Sequence, residues 1–256
     1  MTSSAPRLGS FPWLARTGGQ LSPADRRALM RPLLGAHVFN ALGRATMVLR
    51  LNSGRWALVP PHELRQPASV LTIAAEQEAS RCLTPAMLHH SYRTYLFGAA
   101  VGHLEHVDVD RELLFASAML HDTGLRPPVP GVDFSLASAA VALRTAENVG
   151  LSTAATQVMR NAIALHHSPD VNLATDGPVA YLLSAGAALD VVGLRSWKVP
   201  PSLLHQVVVD HPRLAFKREF TSAVAAEAAA VPHGRMDLLR RYGAFDLAIR
   251  LAPFPD

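Results

Sequence analysis

Two ionisable residues stand side by side, His121-Asp122, at the end of a mostly apolar run from Leu113 to Leu120, and Thr123-Gly124 follows at once. Burying an imidazole and a carboxylate together is costly unless something compensates them, and a divalent cation is the usual compensator. On a continuous helix neighbouring side chains diverge, so both reach one metal only where the helix ends. Gly124 permits such an end. Two further segments carry matching groups. In Pro85 to Glu105, His90 shares a face with Arg93, Thr94 and Phe97 through three-and-four spacing. In Pro178 to Val192, Asp190 shares its face with Leu183, Gly186 and Ala187, a face that should point at the core. His90, His121, Asp122 and Asp190 together offer two imidazoles and two carboxylates. That set suits one divalent transition metal: zinc, manganese, iron, cobalt or nickel. Plainer readings stay open for each residue: a helix C-cap with a surface ion pair for His121-Asp122, a core histidine for His90 with His89 as its competitor, and a structural hydrogen bond for Asp190.

The elements that must position these groups are helices. Ser22-Pro23, Thr84-Pro85 and Pro200-Pro201-Ser202 each put a capping or first-turn residue before an apolar-periodic run, and Asp110 does the same for Leu113 to Leu120. Ser152 to His167, Pro178 to Val192 and Ser222 to Val231 are alanine-rich, with apolar residues spaced by three and four. The pattern predicts an all-α helical bundle over residues 69–256. Residues 1–68 read as an N-terminal extension packed on it, with a helix over Arg26 to Leu42. Within that extension, Met47 to Leu51 and Trp56 to Val59 read as a short hairpin about Asn52 to Arg55. No repeat of fixed period stands out.

Composition narrows the function classes. The chain has 256 residues, 49% hydrophobic and 17% charged, so it can bury a core and is not disordered. Twelve histidines stand against the single Cys82, which excludes a disulfide scaffold and a sulfur-ligated zinc site and suits a reducing compartment. The net charge of +4 and pI near 9.7 invite nucleic acid, but lysine occurs only at Lys198 and Lys217 and the arginines are scattered singly, which argues against it. Met1 to Gln20 lacks a signal-peptide apolar stretch, and no window reaches the roughly 20 apolar residues that span a bilayer, so the sequence predicts a cytoplasmic protein with no membrane partner.

Four motifs occur in order: Leu88-His-His-Ser-Tyr-Arg-Thr-Tyr-Leu-Phe-Gly98, Met119-Leu-His-Asp-Thr-Gly-Leu125, Asn161-Ala-Ile-Ala-Leu-His166 and Leu189-Asp-Val-Val-Gly193. With the order His90, His121-Asp122, Asp190, they resemble the HD-domain superfamily of metal-dependent phosphohydrolases, and most closely its cyanamide-hydratase-like branch, over about residues 84–220. The resemblance implies that His90, His121, Asp122 and Asp190 ligate the metal and that Arg93 and His166 stand near it as catalytic groups. It favours one metal over two, since His166 and His167 are adjacent and no histidine lies between Thr123 and Leu165. One departure is Phe134-Ser135, where relatives are expected to carry Phe-Glu. The implied activity is hydrolysis of a phosphate ester of a small molecule or nucleotide, with Arg93 offsetting phosphoryl charge and His166 moving a proton. The alternatives are a hydratase acting on cyanamide or a similar small nitrile, and a non-catalytic metal-stabilised binding module. A homo-oligomer is compatible with all three. Histidines 37, 62, 103, 106, 205, 211 and 233 lie outside the motifs and read as surface or structural, and His211-Pro-Arg213 with Lys217 reads as packing.

Overall fold

The computed structural model describes residues 5–256, among which there are twelve α-helices and no strand. They are α1 (Phe11–Thr17), α2 (Pro23–Val48), α3 (Val70–Cys82), α4 (Pro85–Leu104), α5 (Arg111–Leu120), α6 (Phe134–Asn148), α7 (Thr153–Leu165), α8 (Leu173–Val192), α9 (Pro201–Asp210), α10 (Phe216–Ala230), α11 (Arg235–Tyr242) and α12 (Phe245–Arg250). The expected all-α bundle is therefore what the chain forms. No helix among the described residues is long and apolar enough to cross a membrane.

Helix starts fall where capping chemistry puts them. Ser22 and Asp25 close a capping box at α2, Asp110 accepts from the Leu113 amide at 3.0 Å to open α5, and Ser152 accepts from the Ala155 amide at 3.3 Å to open α7. In α8, Gly177 adopts φ 78° and ψ 170°, a conformation that breaks the helix, and the long arm restarts at Pro178 as the sequence predicts. Helix α10 begins at Phe216, six residues before the expected Ser222, because Phe216 and Phe220 supply one more apolar turn and both are buried.

Helix α5 is the centre of the bundle. Every residue from Leu113 to Leu120 is buried, with α3, α4, α7 and α8 packed around it. The tightest crossing is α4 on α8. A Cβ at Gly186 would collide with the Thr94 carbonyl oxygen, and one at Gly98 would lie 2.8 Å from the Leu182 carbonyl oxygen. These two helices therefore meet backbone to backbone, which only residues lacking a side chain allow.

The hairpin expected over Met47 to Val59 is not formed. Helix α2 continues to Val48, and a single 3-10 turn, Ser53–Arg55, replaces the strands. The reason is burial: Val48, Leu49, Leu51, Trp56 and Leu58 are all exposed, so a two-stranded ribbon here would have no layer to cover its apolar face. The rest of the extension packs closely on the bundle. Trp13 and Leu14 of α1 are buried with Leu29, Ala164 and Leu238, and α2 lies along the body of the molecule with Leu33 buried and Leu34, Val38 and Leu42 turned outward.

One buried carboxyl props the start of α6. Glu227 on α10 accepts from the Phe134 amide at 2.9 Å, and burial pushes its pKa up to about 7. Because the folded value exceeds the ordinary one of about 4.3, the stability it permits is complete below about pH 4 and is lost as pH rises through about 7. Glu227→Gln keeps the acceptor and cannot ionise. Chemical denaturation should find it as stable as the parent at pH 5 and more stable at pH 8.5 by about 2–3 kcal/mol. An unchanged gap across that range would rule out a buried titrating Glu227. Gly186→Ala gains about 1 kcal/mol of helix propensity in isolation. Forced against the Thr94 carbonyl, it should instead destabilise by about 1–3 kcal/mol in thermal melts, and a rise in Tm would show that the crossing is loose.

Candidate metal centre

Three helix segments aim imidazoles at one point. His90 sits on the α4 face that crosses α8, while His121 and His166 are the residues at which α5 and α7 end. All three are buried. His121 and His166 each donate from Nδ1 to the carbonyl three residues back, Ala118 and Ile163, both at 2.7 Å. His90 donates from Nδ1 to Asp190 Oδ2, also at 2.7 Å. A carbonyl can only accept, so the proton of each neutral ring sits on Nδ1 and Nε2 presents a lone pair. This outward anchoring of Nδ1 is the arrangement found behind metal-ligating histidines.

The inward atoms then face one another. His90 Nε2 and His121 Nε2 are 3.2 Å apart, and Asp122 Oδ2 lies 3.5 Å from the first and 3.3 Å from the second. Asp122 Oδ2 has no hydrogen-bond partner. Two lone pairs and a carboxylate oxygen at these separations repel, and a shared cation removes the conflict. Ligands about 2.0–2.1 Å from a tetrahedral centre stand about 3.3 Å from each other, so the spacing fits a divalent ion held by His90, His121 and Asp122. Their pKa values follow the same geometry. Burial raises Asp122, but the charge of the adjacent His121 outweighs that and holds it well below the carboxylate range; burial lowers His90, and burial also lowers His121, which the charge of Asp122 nonetheless lifts above the usual value.

Two of the expected site residues meet in an ion-pair cluster beside the three-residue group. Asp190 is not in the three-residue group. Arg93 forks onto it, Nε to Oδ1 at 2.8 Å and Nη2 to Oδ2 at 2.9 Å; Arg213 Nη1 donates to Oδ1 at 2.7 Å; and His90 takes Oδ2. With both oxygens engaged, Asp190 orients His90. Burial raises its carboxyl pKa, yet Arg93 and Arg213 hold it far below the ordinary range. Arg93, expected beside the substrate, is fully buried and its remaining Nη1 donates to the His211 and Pro212 carbonyls. It is not among the residues lining the cavity. Arg213, read as packing, is the second cation on Asp190, and the His211-Pro-Arg213 segment exists to bring both guanidinia to one carboxylate.

His166 stands where expected, with Nε2 at 3.7 Å from Asp122 Oδ1, and burial together with His167 and His121 keeps its pKa well below the ordinary value. Gly124 has a use other than helix reversal. Its φ is not left-handed, and a Cβ there would lie 2.6 Å from the Ser138 amide, so it admits α6 against the His121-Asp122 turn. Ser135, at the position expected to carry Glu, donates to Asp133 at 2.6 Å and so belongs to a buried Asp133–Arg235 pair.

The group opens into a cavity of about 390 Å³ whose wall includes His90, His121, Asp122 and His166. Most of the lining is apolar, including Phe39, Phe134, Val191 and Phe220. Its one arginine is Arg195, whose guanidinium lies 5.4 Å over the Tyr181 ring and 3.8 Å from Glu105, and no lysine reaches it. His167, His37 and Asn40 line it too. The sequence marked His167 only by adjacency to His166. Nothing local marked His37, because the approach of α2 to the cavity is tertiary.

Ligand and orienting roles separate by titration. His121→Ala should abolish stoichiometric zinc binding, whereas Asp190→Asn, checked as folded by circular dichroism, should still bind but about 10–100-fold more weakly. Complete loss in Asp190→Asn would restore Asp190 as a ligand. No protein-family model matches the chain and no curated protein matches it, so the chemistry rests on this geometry.

Proposed function

We propose that the chain is a metal-dependent enzyme of the HD-domain type that adds water to, or hydrolyses, a small neutral molecule held in the 390 Å³ cavity. The observation that carries this reading is the convergence of His90 Nε2, His121 Nε2 and Asp122 Oδ2 at one end of a mostly apolar chamber. Three protein ligands with a side open to a cavity are the usual layout of a catalytic rather than a structural metal site. The metal, when bound, supplies Lewis acidity and lowers the pKa of a bound water from 15.7 toward about 7.

The protein's own groups do the rest. Asp190 fixes the His90 tautomer and, with Arg93 and Arg213, its orientation. His166, held neutral by burial and anchored through Nδ1, presents an unprotonated Nε2 beside Asp122 that can take up a proton transiently and return it. Phe134 and Phe220 exclude bulk water from the chamber.

Cavity electrostatics favour a neutral substrate over a phosphate. With Arg93 and Arg213 committed to Asp190, the one cationic side chain on the chamber wall is Arg195, which lies over the Tyr181 ring and shares Glu105 with Lys198, so the protein offers no multidentate phosphoryl clamp there. Hydration of a small nitrile is then the leading chemistry. Phosphate-ester hydrolysis is the second reading, and one feature favours it: another cavity, of about 570 Å³, also reaches Asp122 and carries Arg126 and Arg218.

Zinc- and manganese-loaded protein assayed with cyanamide, short alkyl nitriles, a generic phosphomonoester and a phosphodiester separates these. Turnover is expected with the neutral substrates, abolished by chelator and lowered about 10²–10⁴-fold in His166→Asn with metal content retained. Turnover of phosphate esters alone would replace the first reading by the second, and bound metal without any turnover would leave a binding module.

A further inference from the structure

Helix α2 lies outside the stretch that carries the motifs, yet it forms one wall of the chamber through Leu33, Ala36, His37, Phe39 and Asn40. His37 and Asn40 are three residues apart and so share a helix face. Both carry a polar atom withdrawn from solvent with no hydrogen-bond partner, His37 Nε2 and Asn40 Oδ1. The amide of Asn40 has a defined sense: its nitrogen lies 3.5 Å from the Val192 carbonyl oxygen, which can only accept, so the oxygen is the atom left over. His167 adds two more such atoms. Its ring stacks on Phe134 with centroids 4.9 Å apart, and neither Nδ1 nor Nε2 has a partner.

Four buried polar atoms without partners on one cavity are unusual, since leaving a buried donor or acceptor unmade is costly. They are complementary to a ligand. Asn40 Oδ1 is an acceptor and calls for an N–H or O–H, while a neutral imidazole offers one donor and one acceptor. A carboxylate or phosphate brings acceptors only and would set oxygen against oxygen at Asn40. The one guanidinium of the chamber, Arg195, lies over the Tyr181 ring and shares Glu105 with Lys198, so it is not aimed at Asn40 as an anion clamp.

We infer that α2 is the recognition wall of the chamber, where His37 and Asn40, with His167, bind a small neutral molecule that carries both hydrogen-bond donor and acceptor groups, of the amide class. This deepens the reading of the chamber as a substrate site and rests on it. It also gives the N-terminal extension a use: the bundle holds the reactive groups, and α2 selects what reaches them.

The test uses two probes of one shape, butyramide and butyrate, on full-length protein stripped of metal with a chelator and again on zinc-loaded protein, read by ligand-observed saturation-transfer NMR titration. Butyramide should bind in both states, and in the metal-free protein, where no ion can take up the carboxylate, butyrate should bind at least 10-fold more weakly. His37→Leu and Asn40→Leu, at half-buried positions that tolerate substitution, should each weaken butyramide about 2–10-fold, and Leu34→Ser on the outward face of α2 should leave it unchanged. Equal binding of the two probes to the metal-free protein, no binding of butyramide in either state, or wild-type affinity in both variants would overturn the inference. Because the metal-free arm does not depend on the ion, a failure of metal binding would undo the proposed chemistry while leaving this outcome readable.

Discussion

The backbone contact between α4 and α8 is the constraint on which the site depends. Gly98 on one helix and Gly186 on the other remove the side chains that would hold the axes apart, and the same turn-by-turn spacing that runs from Gly98 back to His90 and from Gly186 on to Asp190 sets imidazole against carboxylate at 2.7 Å. A wider crossing would leave Asp190 alone in an apolar interior. Instead it is saturated by Arg93, Arg213 and His90, the condition under which a buried ion is tolerated. Removing any one member leaves charge of the others uncompensated, so packing, ion pairing and imidazole orientation behave as a unit.

Much of this was legible from residue types. Capping or first-turn residues located the starts of α2, α4, α5 and α9, because such a start is decided by a few neighbouring residues. The pairing of His121 with Asp122 after a buried run pointed to the site for an equally local reason: two ionisable groups at the end of an apolar helix need a compensating charge. The resemblance brought His90, His166 and Asp190 into the same neighbourhood, where the structure also has them.

What the sequence did not disclose is relational. Periodicity put Asp190 on an inward face but could not say whether its oxygens meet a cation or two guanidinia, because Arg213 arrives from a separate segment. Arg93 read equally as a substrate contact or as a packing or ion-pair residue for the same reason. The apolar run Met47 to Leu51 reads equally as the end of a helix or as a strand, and the exposure that decides between them is a property of the assembled molecule. The cover that α2 provides is likewise a tertiary fact, which is why His37 read as surface or structural and nothing in the sequence singled out Asn40.

The ends of α5 and α7 have a consequence for what the centre accepts. Both helices stop at a histidine of the group, His121 and His166, so two C-terminal turns converge on one point. Each brings the negative pole of its aligned peptide dipoles, about half an elementary charge. The pair contributes a field of about one negative charge before any side chain ionises, with Asp122 adding a formal one. An anion approaching this end of the chamber meets repulsion from the main chain itself, while a cation is drawn in from a distance. A preference for positive over negative charge is thus written into where two helices end.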